Sequence, residues 1–128
     1  MKLGEIYKKI VNMGIDADPR GRERINQILE KSKKDLDKLE GKKKELADKD
    51  VAWNPYTDCR LLYGDPETEI RSVLSGIDIG TGEILLADRL EEKGKKIDLV
   101  LAHHPHGIGM SNLDYVMQLQ PEQWAAVG

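Results

Sequence analysis

Residues 71–107 read RSVLSGIDIGTGEILLADRLEEKGKKIDLVLAHHPHG, and the way short apolar runs stop on polar residues here decides the fold class. Val73, Leu74 and Ile77 run into Asp78, while Leu99, Val100, Leu101 and Ala102 run into His103–His104 with Pro105 behind them. Between the two runs Ile84, Leu85, Ala87, Asp88 and Leu90–Glu91 carry helical spacing, and Gly94 stands where a helix C-cap is expected. The spacing predicts strand, helix, strand. It is a βαβ unit with imidazole and carboxylate at its exit.

Working outward, 128 residues make one domain by length. Charged residues are 34%, aromatics 5%, and Phe is absent, so core material is mostly Leu, Ile, Val and Ala. A net charge of -3 gives no reason to expect nucleic acid or an anionic membrane as partner. Cys59 is the single cysteine, which excludes an internal disulfide framework and an all-thiolate metal site. The opening MKLGEIYKKIVNMGI is too charged for a signal peptide, and no segment approaches the ~20 apolar residues of a membrane span. A cytoplasmic protein is the expectation.

Upstream, Leu3, Ile6, Tyr7, Ile10 and Val11 predict an amphipathic helix over residues 2–13, ended by Gly14. Asp18 is a candidate N-cap with Pro19 at the first helical position. From Arg20 to about Ala47 the pattern predicts one long charged helix, which would span ~40 Å. Its heptad seam, positions 25, 29, 32, 36, 39, 43 and 46, includes Ser32 and Lys43, and Gly41 weakens the second half. A solvated helix resting one narrow stripe on the body or on another subunit fits better than a dedicated coiled coil. The GKKK run at residues 41–44 lies between Glu40 and Glu45 and reads as a solvated face.

Val51 to Asp58 reads as loop, with Trp53 and Tyr56 covering one end of the core. Cys59 to Tyr63 predicts a strand, Gly64–Glu67 a turn and Ile70–Asp78 the next strand, an antiparallel hairpin leading into the βαβ unit. Cys59 is read as a small core residue, not a nucleophile. Past Gly107, Ser111 could cap a helix carrying Leu113, Val116, Met117 and Leu119, and Pro121 opens another that Trp124 anchors. The chain thus divides into a helical segment, residues 1–50, and an α/β portion, residues 51–128. The fold class is α/β, a small mixed sheet with a βαβ unit ending in the His-His-Pro turn, plus the long charged helix. Because the predicted sheet keeps an unpaired side, the chain reads as the front part of a longer protein or one completed by oligomerisation.

Adjacent side chains on a strand point to opposite faces, so His103 and His104 share a site only if the strand ends there. Pro105 supplies that ending. The pair then sits at the carboxyl edge of a parallel strand, where open α/β sheets bind ligands. Asp78 ends the neighbouring strand, ~4.8 Å away, close enough to converge with an imidazole. Imidazole plus carboxylate suits Zn, Fe, Mn, Ni or Co. Two ions side by side would favour hydrolytic displacement. Against this stand a histidine pair without function and an Asp78 that caps the following helix.

The run Asp98-Leu99-Val100-Leu101-Ala102-His103-His104-Pro105, with Gly64-Asp65-Pro66 upstream, resembles the N-terminal part of the Nif-three-like family, proteins known as GTP cyclohydrolase type-2 homologues. The similarity covers about Arg60 to Gly107. It implies an α/β fold, a dinuclear metal site with His103 and His104 as ligands and Asp78 beside them, and ring-shaped homo-oligomers. The family completes its site with downstream Asp, His and Glu residues that have no convincing counterpart here. Asn112-Leu113-Asp114 follows the histidines too closely. His106 stands where the family commonly has an apolar residue, and a solvent-facing role is expected for it.

The glycines of GIDIGTG, residues 76–82, match neither a dinucleotide nor a Walker spacing, though amides after Gly82 could meet a substrate phosphate. Glu83 fits a helix N-terminal position. The sequence therefore supports a metal-dependent, hydrolase-like protein acting on a small molecule or nucleotide. The alternatives are a non-catalytic metal carrier or assembly module, and a structural fragment that binds no metal.

Overall fold

The computed structural model describes residues 1–111 and 113–128. Asn112, part of the Asn-Leu-Asp triplet weighed above, lies outside them. In order the elements are α1 (Leu3–Ala17), α2 (Gly21–Asp37), α3 (Gly41–Leu46), a 3₁₀ turn (Lys49–Ala52), β1 (Val73–Gly76), α4 (Thr81–Glu92), β2 (Leu99–Ala102), α5 (Ile108–Ser111) and α6 (Leu113–Val127). The protein mixes helices with a small parallel sheet.

α1 runs past Gly14, so that glycine does not terminate it. A Cβ at Gly14 would lie 2.9 Å from Tyr56 Cε2. The residue is there to let a ring approach. At the other end, the helix's first free N–H groups are met by a distant turn: Leu3 N–H donates to Thr68 O and Gly4 N–H to Pro66 O, both at 2.9 Å. Ile70 N–H donates to Met1 O at 2.9 Å, and Lys2 bridges Glu69 antiparallel.

That pairing replaces the expected hairpin. Residues 66–70 give their hydrogen bonds to the N-terminus, and the Cys59 carbonyl is taken by Asn54 Nδ2 at 2.8 Å, Tyr7 Oη at 3.1 Å and Arg60 Nη1 at 2.6 Å. Cys59–Tyr63 is consequently not a strand, and among the described residues the sheet is two parallel strands instead of a mixed one.

The long charged helix is also broken. α2 ends at Asp37, and Gly41 adopts φ +54, a left-handed conformation that an uninterrupted helix excludes. Asp18 caps no helix by its side chain. It closes the turn into α2, accepting from Arg20 N–H at 3.0 Å, Arg20 Nη2 at 2.7 Å and Tyr56 Oη at 3.0 Å. The Asp18 and Arg20 side chains are 1% and 2% exposed. Hydrogen bonding from the Arg20 guanidinium holds the Asp18 carboxyl below its usual range.

The core gathers Val11 and Ile15 of α1 against Ile25 of α2, with Tyr7, Trp53, Tyr56 and Cys59 packed around them. Trp53 and Tyr56 do cover it. The Tyr7 and Trp53 rings meet edge-on at 5.1 Å. Buried Asn54 is fully used, donating to Tyr7 Oη at 3.0 Å and accepting from Tyr56 N–H at 2.9 Å.

β1 and β2 pair in parallel with Val73 opposite Leu99 and Gly76 opposite Ala102, α4 lying between them in sequence. Asp98 clips the sheet's entrance: its carboxylate accepts from Arg71 N–H at 2.9 Å and from Ser72 N–H and Oγ at 3.0 Å. These donors, with Lys96 beside them, hold it well below the usual carboxylate range. α6 continues through Pro121, which lacks the N–H that would reach the Met117 carbonyl one turn back. Trp124 is 73% exposed and does not anchor the helix; Glu122 does, lying 3.8 Å from Arg20 Nη1 and paired with Arg24.

Candidate metal centre

Past the last ladder pair, Gly76 and Ala102, both segments bend and stay joined by two backbone hydrogen bonds. His103 N–H donates to Gly76 O at 2.9 Å and His104 N–H to Ile77 O at 2.8 Å. Both histidines lie at the carboxyl edge in a bend just past β2, with Pro105 behind them. Asp78, on the other strand's extension, meets His104: Nδ1 lies 2.8 Å from Asp78 Oδ1. The two side chains are 53% and 75% exposed, so solvent screens this pair. The His103 ring lies 5.3 Å from the His104 ring, tilted by 40°.

With Nδ1 turned to the carboxylate, His104 Nε2 is the nitrogen free for a ligand, and Asp78 orients the ring that carries it. The donor chemistry fits a divalent transition metal. The donor number does not close a coordination sphere: among the described residues no group of three or more His, Cys, Asp or Glu could hold one ion.

One expectation changes around the turn, and two stand. His106 does not face solvent; it is half-buried, and its Nε2 is enclosed without a hydrogen-bond partner. At the N-cap of α4 Glu83 Oε2 accepts from Gly80 N–H at 2.8 Å, and this contact lowers the Glu83 carboxyl below its usual range. Glu83 therefore has the expected helix N-terminal role. Burial raises the Cys59 thiol, in keeping with a core residue.

A cleft of about 1190 Å³ opens beside the turn, lined by α1, by residues 58–63, by the strand ends and by the start of α4. Its α1 wall escaped the sequence reading. Nothing in Ile6 or Ile10 distinguishes a cleft wall from the core face of an amphipathic helix. Gly109 holds the far side of the turn close, since a Cβ there would meet the Asp58 carbonyl at 2.7 Å.

No protein-family model, curated protein or solved structure matches the chain.

Proposed function

We propose that this chain is a metal-binding, hydrolase-like protein of the Nif-three-like type, with His103 and His104 as its share of the ligands and Asp78 as the carboxylate beside them. The observation that carries this reading is the 2.8 Å approach of Asp78 to His104 at the carboxyl edge of two parallel strands. In this reading β1, α4 and β2 act as a βαβ unit that presents the His-His-Pro turn. A divalent ion (Zn, Fe, Mn, Ni or Co) would supply Lewis acidity toward a small-molecule or nucleotide substrate. Further donors come from outside the described residues, in keeping with a homo-oligomer working in the cytoplasm.

A second reading, a non-catalytic metal carrier or assembly module, is favoured by the small number of convergent donors. Elemental analysis of the purified chain beside His103→Ala and His104→Ala tests the shared premise. Stoichiometric metal on the parent chain, with affinity reduced roughly tenfold or more in each variant, is expected. Trace metal that ignores both substitutions would sink it. Turnover of a panel of nucleotides and esters by the loaded protein separates hydrolase from carrier.

A further inference from the structure

We propose that α6 is a salt-sensitive strap. Glu122, clasped between Arg20 and Arg24, latches this helix onto the turn between α1 and α2, and screening of the clasp releases α6 while the helical core stays folded. The proposal is independent of the metal-site reading.

α6 gives the helical core little apolar surface. Among its described side chains Leu113, Met117, Trp124 and Val127 are exposed, and Val116 and Leu119 only half-buried. It nonetheless lies over the α1–α2 turn, where Pro19 shares a crevice with Gln120, Gln123, Trp124 and Val127. Charge meets charge there. Glu122 Oε1 pairs with Arg24 Nη2, and Glu122 Oε2 lies 3.8 Å from Arg20 Nη1. Hydrogen bonding from Arg24 holds the Glu122 carboxyl below its usual range, so it is ionised near neutral pH.

Two features make this contact a latch and not a piece of the core. The first is that Arg20 does not depend on it. Arg20 Nε and Nη2 already donate to Asp18 at 2.9 and 2.7 Å, and Asp18 also takes the Arg20 N–H at 3.0 Å. Arg20 Nη1 and Glu122 Oε2, by contrast, are enclosed without a hydrogen-bond partner among the described residues. Lifting α6 hands both atoms to water and leaves the Asp18–Arg20 pair intact, so opening strands no buried charge. The second feature is screening. The Arg24 and Glu122 side chains are 47% and 39% exposed, within reach of dissolved ions. The Debye length falls from about 10 Å at 0.1 M salt to about 3 Å at 1 M, whereas buried pairs such as Asp18–Arg20 are screened far less. Pro121, next to Glu122, also removes a backbone hydrogen bond from α6 at the point where the clasp holds it.

The test is hydrogen exchange of the full chain in about 0.1 M and about 1 M sodium chloride, read separately on α6 and on α1 around Ile15. In the parent chain the α6 amides should exchange about threefold to tenfold faster at high salt, while those of α1 keep their rate. Glu122→Gln, which preserves helix propensity, should show the fast α6 rate at both salt concentrations. Arg24→Gln should behave in the same way, and the double variant should be no faster than either single one. Equal α6 rates in the parent and Glu122→Gln, additive effects of the two substitutions, or a parent α6 indifferent to salt would each overturn the latch. Acceleration of α1 together with α6 would overturn its separation from the core.

Discussion

Tyr7 shows how much a single side chain decides. Its one hydroxyl proton is shared between Asp50 Oδ2 at 3.0 Å and the Cys59 carbonyl at 3.1 Å, while Asn54 donates to its oxygen. Burial, with Asp50 beside it, pushes its pKa from 10.0 up to about 12. Tyr7→Phe keeps the ring against Trp53 but strips a donor from Asp50, and should cost about 1–3 kcal/mol in chemical denaturation. A folded-state value above the unfolded one stabilises fully below pH 10 and is lost as pH climbs toward 12. The parent chain should therefore lose stability more steeply than Tyr7→Phe across that window, and parallel curves would refute the assignment. Tyr7 read as one more apolar position in the sequence, because a hydroxyl's partners come from residues far along the chain. His103, His104 and Asp78 were legible, since strand ends and a proline place them locally. The inward turn of His106 was not.

At the scale of elements, glycines separate what periodicity can say from what packing decides. Gly14 and Gly41 look alike in sequence, as breaks in helical patterns. Gly41 does break one, through its left-handed backbone. Gly14 instead lies within α1 because Tyr56, held by Asp18 at 3.0 Å, comes within van der Waals reach. Gly14→Ala brings two opposed effects. Alanine favours the helix by about 1 kcal/mol, while overpacking against an anchored ring costs about 1–3 kcal/mol. The second should win, lowering the thermal midpoint; a variant more stable than the parent would show that the ring gives way. The hairpin failed for a related reason. Residues 59–63 and 70–78 have hairpin propensities, but their hydrogen-bonding groups found other partners: Tyr7 and Asn54 for Cys59, Met1 for Ile70, and β2 for residues 73–76.

Across the whole molecule stability is uneven. Val11, Ile15 and Ile25 are buried together, whereas Ile84, Leu85 and Leu86 of α4 remain about half exposed and Leu101 of β2 is 39% exposed. Parallel sheets ordinarily have both faces covered, and two strands alone are marginal. Hydrogen exchange should find the amides of α1 around Ile15 slower than those of β2 by about tenfold or more. Equal protection would mean that the sheet and the helical core open as one unit. The same exposed surface is where a homo-oligomer would gain most, because covering it removes apolar area from water.

The sequence by itself determined the local features: a helix at the N-terminus, a charged helix beginning near Arg20, a helix between two short apolar strands, and the histidine pair with Asp78 at their ends. Periodicity, glycine and proline act within a few residues, so these are written in the chain. Only the tertiary structure decided that the N-terminus pairs with residues 66–70, that α1 walls the cleft, and that Asp18 and Arg20 are buried as a pair. Those outcomes depend on which donor meets which acceptor across fifty residues or more, or on which charges lose their water, and no window of sequence carries that competition.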